Sequence, residues 1–392
     1  MFKSFMIPCL GAALSAACAF AQVSPSTGSQ SDLPSSAPVA YVYVASSPGN
    51  GEPDVIVGYS ASSSGALTPI PGSPFPQNVS SMAVNGKYLM GVNNSGTPSI
   101  DTLQIGSNGA LTYVTSTPCA QTSSGCLTAF NLFFDHTGSD LYVMLYDENT
   151  NDDTESFAVD KSSGTLNYLG DSVTGAFPGD YTGTFFIGNN VYAYSTDQSG
   201  CMYPGIYGFQ RESSGFLNLI NTKFNVPKPP PGVNIYYPDL LVADPNNNLA
   251  FLEQPTNAPE CASGPLQIAV YTADTNGNIH TNSTYKDMPA TLIQNPFDMK
   301  MSPSGQVLAV AGQEGLQLFH FNGANPVTHY TGLLTTDPIT RMFWDNSNHL
   351  YAISSAGKLY VGTVTPTKIT MAPGSPYLVT SPQYVIVQPL TQ

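Results

Sequence analysis

Short apolar runs separated by turn residues fill the chain, and no segment sustains a helical period. One unit repeats: an apolar strand, a tight turn, a second apolar strand, a variable loop, a third strand, a glycine-containing turn and a fourth strand. The first turn recurs as Asn85-Gly86, Asp135-His136-Thr137-Gly138, Gly188-Asn189-Asn190, Asp244-Pro245-Asn246-Asn247-Asn248, Ser302-Pro303-Ser304-Gly305 and Asp345-Asn346-Ser347-Asn348. Gly, Asn and Asp collect there because a tight hairpin asks for positive φ. A β-rich run follows each turn, as in Tyr88-Leu89-Met90, Leu141-Tyr142-Val143 and Leu350-Tyr351-Ala352. The second turn recurs as Ser64-Gly65-Ala66-Leu67, Asn108-Gly109-Ala110-Leu111, Ser163-Gly164-Thr165-Leu166, Ser214-Gly215-Phe216-Leu217 and Asn276-Gly277-Asn278-Ile279. It degenerates to Gly323-Ala324-Asn325 and Thr365-Pro366-Thr367 in the last two repeats. A period of roughly 45 to 58 residues is that of four-stranded propeller blades.

Six first turns imply six complete units, and the chain ends supply a seventh. Ala40 to Ala45 has the character of a second strand with no first strand before it. Tyr384 to Val387 has first-strand character with nothing after it. Pairing the two closes the ring and removes exposed sheet edges. The expected fold is therefore all-β, a seven-bladed propeller of four-stranded blades spanning 39–392 as one domain.

Ser64-Gly65-Ala66-Leu67-Thr68-Pro69 running into Pro71-Gly72-Ser73-Pro74-Phe75, echoed by Pro373-Gly374-Ser375-Pro376-Tyr377, resembles the lactonase family of seven-bladed propellers. That group contains 6-phosphogluconolactonase-like and YVTN-repeat proteins, and the resemblance runs from about residue 38 onward. Its motifs are blade punctuation, so they speak for fold rather than activity. The resemblance implies a histidine at an inner-strand entrance and an Asp-Leu-Gly-x-Asp-type segment in the next loop. Here the matching stretch is Phe130-Asn131-Leu132-Phe133-Phe134 and the loop runs from Tyr146 to Asp152, so the histidine is missing and the segment is replaced.

Composition narrows the setting. Lys3, an apolar run from Phe5 to Ala17 and Ala19-Phe20-Ala21 read as an export signal over residues 1–21. Lipoprotein processing at Cys18 is the rival reading, without the usual aliphatic residue because Ser15 stands there. Residues 22–38, rich in Ser, Pro and Gln, are expected to be a disordered leader. The protein is thus expected to be exported, periplasmic or extracellular, and monomeric. A net charge of −15 with eleven Lys plus Arg argues against nucleic acid and anionic membrane surfaces as partners. No later stretch approaches the roughly 20 apolar residues of a membrane helix. Beyond the signal, four cysteines remain, and an even number in an exported chain points to disulfides, Cys119 with Cys126 and Cys201 with Cys261. No cofactor is implied.

Aligning the inner strands on their turns places Ser81, Asn131, Thr184, Asp298, Arg341 and Tyr384 at one depth near the channel mouth, with Asp239 just ahead of its strand. Asp298 and Arg341, on adjacent blades, are expected to form an ion pair or to hold a ligand. Tyr236 and Tyr237, in a Pro-rich joining loop from Pro227 to Pro238, offer aromatic faces for stacking or packing. Asp147, Asn149 and Asn151 alternate like calcium ligands, but Asp152 stands where the turn glycine belongs and Ala158 where the closing Glu belongs. Asp274, Asn276 and Asn278 share that spacing and read as a structural turn. His136 and His349 fall at turns on the far face, and His280, His320 and His329 in outer strands, so a Ser-His-Asp site has no support. The leading expectation is a non-catalytic scaffold binding a small molecule, glycan or protein on its loop face. The alternative is a divergent lactone hydrolase with Asp298, Asp239 or the Asp147 loop as general base.

Overall fold

Strands buried on both faces should read as continuous apolar runs rather than alternating ones. The second strand of each repeat does so: every residue of Ala40–Ser46, Val307–Gly312 and His349–Ser354 is buried. Fourth strands such as Leu111–Pro118 and Asn325–Leu333 are mostly open to solvent. This gradient, deep inside and wet outside, is that of blades stacked around an axis. The computed structural model describes residues 37–49, 51–119, 126–147, 152–173, 183–197, 205–257 and 264–390. The export signal, the Cys18 alternative and nearly all of the leader lie outside them.

Seven antiparallel sheets follow one another along the chain. The first strands of blades two to seven are Met82–Val84, Cys126–Phe134, Phe185–Phe186, Ile235–Ala243, Pro296–Met301 and Ile339–Trp344. Blade one takes its first strand from the other end of the chain. Pro382–Pro389 pairs antiparallel with Ala40–Ser46, setting Tyr384 opposite Ala45 and Val387 opposite Val42. The expected closure of the ring is thus observed.

Among the described residues, seven apolar clusters lie one between each pair of neighbouring blades. Val42 and Val44 of blade one meet Tyr351 and Ile353 of blade seven, for example, and Leu252 of blade five meets Leu308 of blade six. Tyrosine hydroxyls bolt the same interfaces. Tyr43, Tyr88, Tyr142 and Tyr192, in or beside second strands, donate to the carbonyls of Gly109, Ser162, Gly215 and Thr275 in the second turn of the following blade, at 2.8, 3.0, 2.8 and 3.2 Å. The recurring Ser/Asn-Gly motif is therefore an acceptor for the neighbouring blade. Gly109 shows why glycine is needed: its φ is +82°, and a Cβ would stand 2.6 Å from the Tyr41 ring. Blade seven differs, with Asp345 accepting from the Tyr351 hydroxyl at 2.9 Å and meeting His349 Nδ1 at 2.7 Å.

Two local expectations change. Tyr236 and Tyr237 belong to the strand Ile235–Ala243 rather than to a joining loop. Tyr236 is fully buried with its hydroxyl on Gln267 Oε1, and Tyr237 is half-buried. The acidic stretch after Asn151 is likewise the strand Asp152–Val159, in which Asp153 and Glu155 are buried. Burial between blades overrides their polarity, which had suggested a loop.

Candidate functional site

Every first strand contributes to a central channel of about 920 Å³. At its upper mouth, on the face where first strands begin, the ladder breaks in the same way in five blades. Phe130, Asp239, Phe297, Thr340 and Gln383 are each skipped in the pairing with the second strand. A bulge of this kind bends the strand and re-aims the side chains beside it. The residues that follow three of these bulges, Asn131, Asp298 and Arg341, and Tyr384 after a fourth, all line the channel, as does Thr184. Ser81, set at the same depth from the turns, is buried and does not line the channel.

Asp298 is 7% exposed. Its Oδ2 accepts the Met342 N–H of blade seven at 2.7 Å, and its Oδ1 lies 3.0 Å from Lys300 Nζ. Lys300 also stands 5.3 Å above the Phe185 ring. The ion pair at the mouth therefore joins Asp298 to Lys300, not to Arg341 as expected. Two residues apart on one strand, Asp298 and Lys300 share a face, a period-two signal present in the sequence and overlooked there.

Arg341 is exposed, and its Nη1 donates to the carbonyls of Thr340 at 2.8 Å and Phe297 at 3.3 Å. Both acceptors sit at bulges, whose freed carbonyls orient the guanidinium. Its Nε and Nη2 have no hydrogen-bond partner among the described residues. Around it, Ser81 donates to Asn131 Oδ1 at 3.4 Å, while Thr184 rests against Met144 Sδ at 3.7 Å.

Other candidates fall elsewhere. Neither Asp239 nor Tyr237 lines the channel; the carbonyl of Asp239 accepts from the Thr196 hydroxyl at 2.8 Å. Asp147 ends the strand Asp140–Asp147, whereas Asn149 and Asn151 lie outside the described residues, among which no group of acidic, His or Cys side chains could hold a metal. Asp274 accepts the N–H groups of Asn276 and Asn278, so that stretch is a turn. Cys119 is buried and Cys126 opens the first strand of blade three; Cys201 and Cys261 lie outside the described residues.

His320 stacks on Tyr330 at 4.4 Å and His329 tilts against Phe319, as packing histidines do. His136 lines the lower reach of the channel, edge-on to Phe186, a placement its position at a turn had concealed. Burial lowers its pKa below the ordinary value.

No family model matches the chain, and no curated protein matches it in sequence. Solved structures do. A provisionally named 6-phosphogluconolactonase from Bacteroides uniformis is 15% identical, with a TM-score of 0.64 over 89% of this chain and 99% of that one. A second protein of that provisional name, from Bacteroides fragilis, is 13% identical, with a TM-score of 0.63 over 89% and 97%. The periplasmic gluconolactonase of Pseudomonas aeruginosa is 14% identical, with a TM-score of 0.62 over 89% and 98%. The chain has the lactonase-like seven-bladed propeller fold. At these identities the likeness is one of architecture.

Proposed function

We propose that this chain is an exported, monomeric, non-catalytic propeller whose upper channel mouth binds a small anionic ligand on Arg341. One observation carries the reading: two backbone carbonyls hold Nη1 of a guanidinium that lines the channel, while its Nε–Nη2 edge has no partner among the described residues. That edge matches a carboxylate bidentately. It stands out in a chain of net charge −15, where only eleven residues are Lys or Arg and two of them line this channel. Asp298 does not suit a general base, because its carboxylate is occupied in holding Met342 and Lys300, and a base needs an oxygen turned toward the substrate proton. We also propose the disulfides Cys119–Cys126 and Cys201–Cys261, which non-reducing peptide mapping would reveal.

The second reading, a divergent lactone hydrolase with Asp298 as base, draws on the names of the structural neighbours. Initial rates on gluconolactone and on aliphatic lactones separate the two. The scaffold reading expects no turnover above the uncatalysed rate. Turnover that disappears in Asp298→Asn would establish the hydrolase instead.

A further inference from the structure

A ligand anchored at the mouth must place the rest of its body in the channel, whose walls carry aromatic and aliphatic side chains with Lys300 and His136 among them. Below the mouth, the half-buried apolar side chains along the channel include Val84, Phe133, Phe134, Phe185, Met301 and Phe343. Arg341 and Phe343 lie two residues apart on one strand, so on that blade charge gives way to an aromatic ring within about 7 Å at strand rise, whereas Asp298 is followed at the same spacing by Lys300. The channel continues into a lower reach of about 610 Å³, and Val84, Phe134, Met301 and Phe343 line both, as do His136, Lys300 and Pro303. A polyhydroxylated ligand would leave unpaired those hydroxyls that meet the aromatic and aliphatic side chains, at a cost for each. An aliphatic chain would gain by leaving water.

Resting on the anion-binding reading above, we infer that the ligand is an amphipathic carboxylate. Its head lies on the Nε–Nη2 edge of Arg341 and its hydrocarbon chain runs down the channel. Lys300 is held by Asp298 and over the Phe185 ring, and together with Arg341 it keeps the mouth net positive.

Trp344, the chain's single tryptophan, borders the lower reach and is 5% exposed. It reports how deep a ligand penetrates. The full-length protein is titrated with acetate, hexanoate, octanoate, decanoate and gluconate, by calorimetry and by Trp344 emission. Affinity should rise about fourfold per added methylene while the chain stays within the walls. Hexanoate should outbind gluconate, which carries the same number of carbons. Only the longer acids should alter Trp344 emission, and Arg341→Met should weaken every acid at least tenfold.

Affinity independent of chain length, or gluconate tighter than hexanoate, would overturn the amphipathic ligand. If Arg341→Met still weakened binding in that case, the anion site would stand. Binding of no carboxylate, or binding indifferent to Arg341→Met, would overturn the anion site and the inference together. The chain-length series needs no variant, so a poorly folding substitution leaves the test intact.

Discussion

Glu253 has no exposed surface, and the hydroxyl of Tyr271 donates to its Oε1 at 2.6 Å. Burial pushes its carboxyl up to about 8, so it holds its proton at neutral pH. An unfolded Glu ionises near 4.3. Between those two values the folded chain binds more protons than the unfolded one, so stability falls as pH rises. The contribution is complete below about pH 4 and is lost as pH passes through about 8, with a slope of about 1.4 kcal/mol per unit within the window. Melting temperature should therefore decline from pH 5 to pH 8, and Glu253→Gln should flatten the decline. Parallel profiles for the two proteins would show that Glu253 ionises freely in the fold. Individual residues were the least legible scale in the sequence. Asp298, Arg341 and Tyr384 could be placed because the turns set their depth. Nothing local marked Tyr236 for burial, and the pairing of Lys300 with Asp298 depends on which strand face looks inward.

Strands and turns were legible to the extent that each obeys a local rule. Asn-Gly and Asp-rich turns announced the hairpins, and doubly buried second strands announced themselves by unbroken apolar runs. The bulges at Phe130, Asp239, Phe297, Thr340 and Gln383 left no common residue type. They arise from how the strand must bend at the channel mouth, a tertiary demand. The latch between blades is a property of two elements at once. Removing its hydroxyl in Tyr43→Phe should cost about 1 kcal/mol in urea unfolding, the net worth of a typical hydrogen bond. Gly109→Ala should cost more, because a methyl group there meets both an unfavourable φ and the Tyr41 ring. If the alanine variant were the more stable of the two, residue 109 would not hold the positive φ and the close approach to Tyr41 that the structure shows.

At the scale of the whole molecule, the ring was legible because its two halves of a blade lie at opposite ends of the chain. Deleting residues 382–392 removes the first strand of blade one and exposes the inner edge of Ala40–Ser46. The truncated chain should melt well below the full-length protein or aggregate through that edge. An unchanged melting curve would mean that closure contributes nothing. Beyond closure, the stack of seven interfaces forms a frame around the channel, with Arg341 oriented by its own backbone and by that of the adjacent blade. The most direct test of the account is a crystal structure of the protein soaked with a carboxylate that it binds in solution. The account predicts the carboxylate on the Nε–Nη2 edge of Arg341 at about 2.8 Å, the usual length of a charge-assisted hydrogen bond, with Asp298 still joined to Lys300. A ligand seated elsewhere on the propeller, or an opened lactone lying against Asp298, would contradict it.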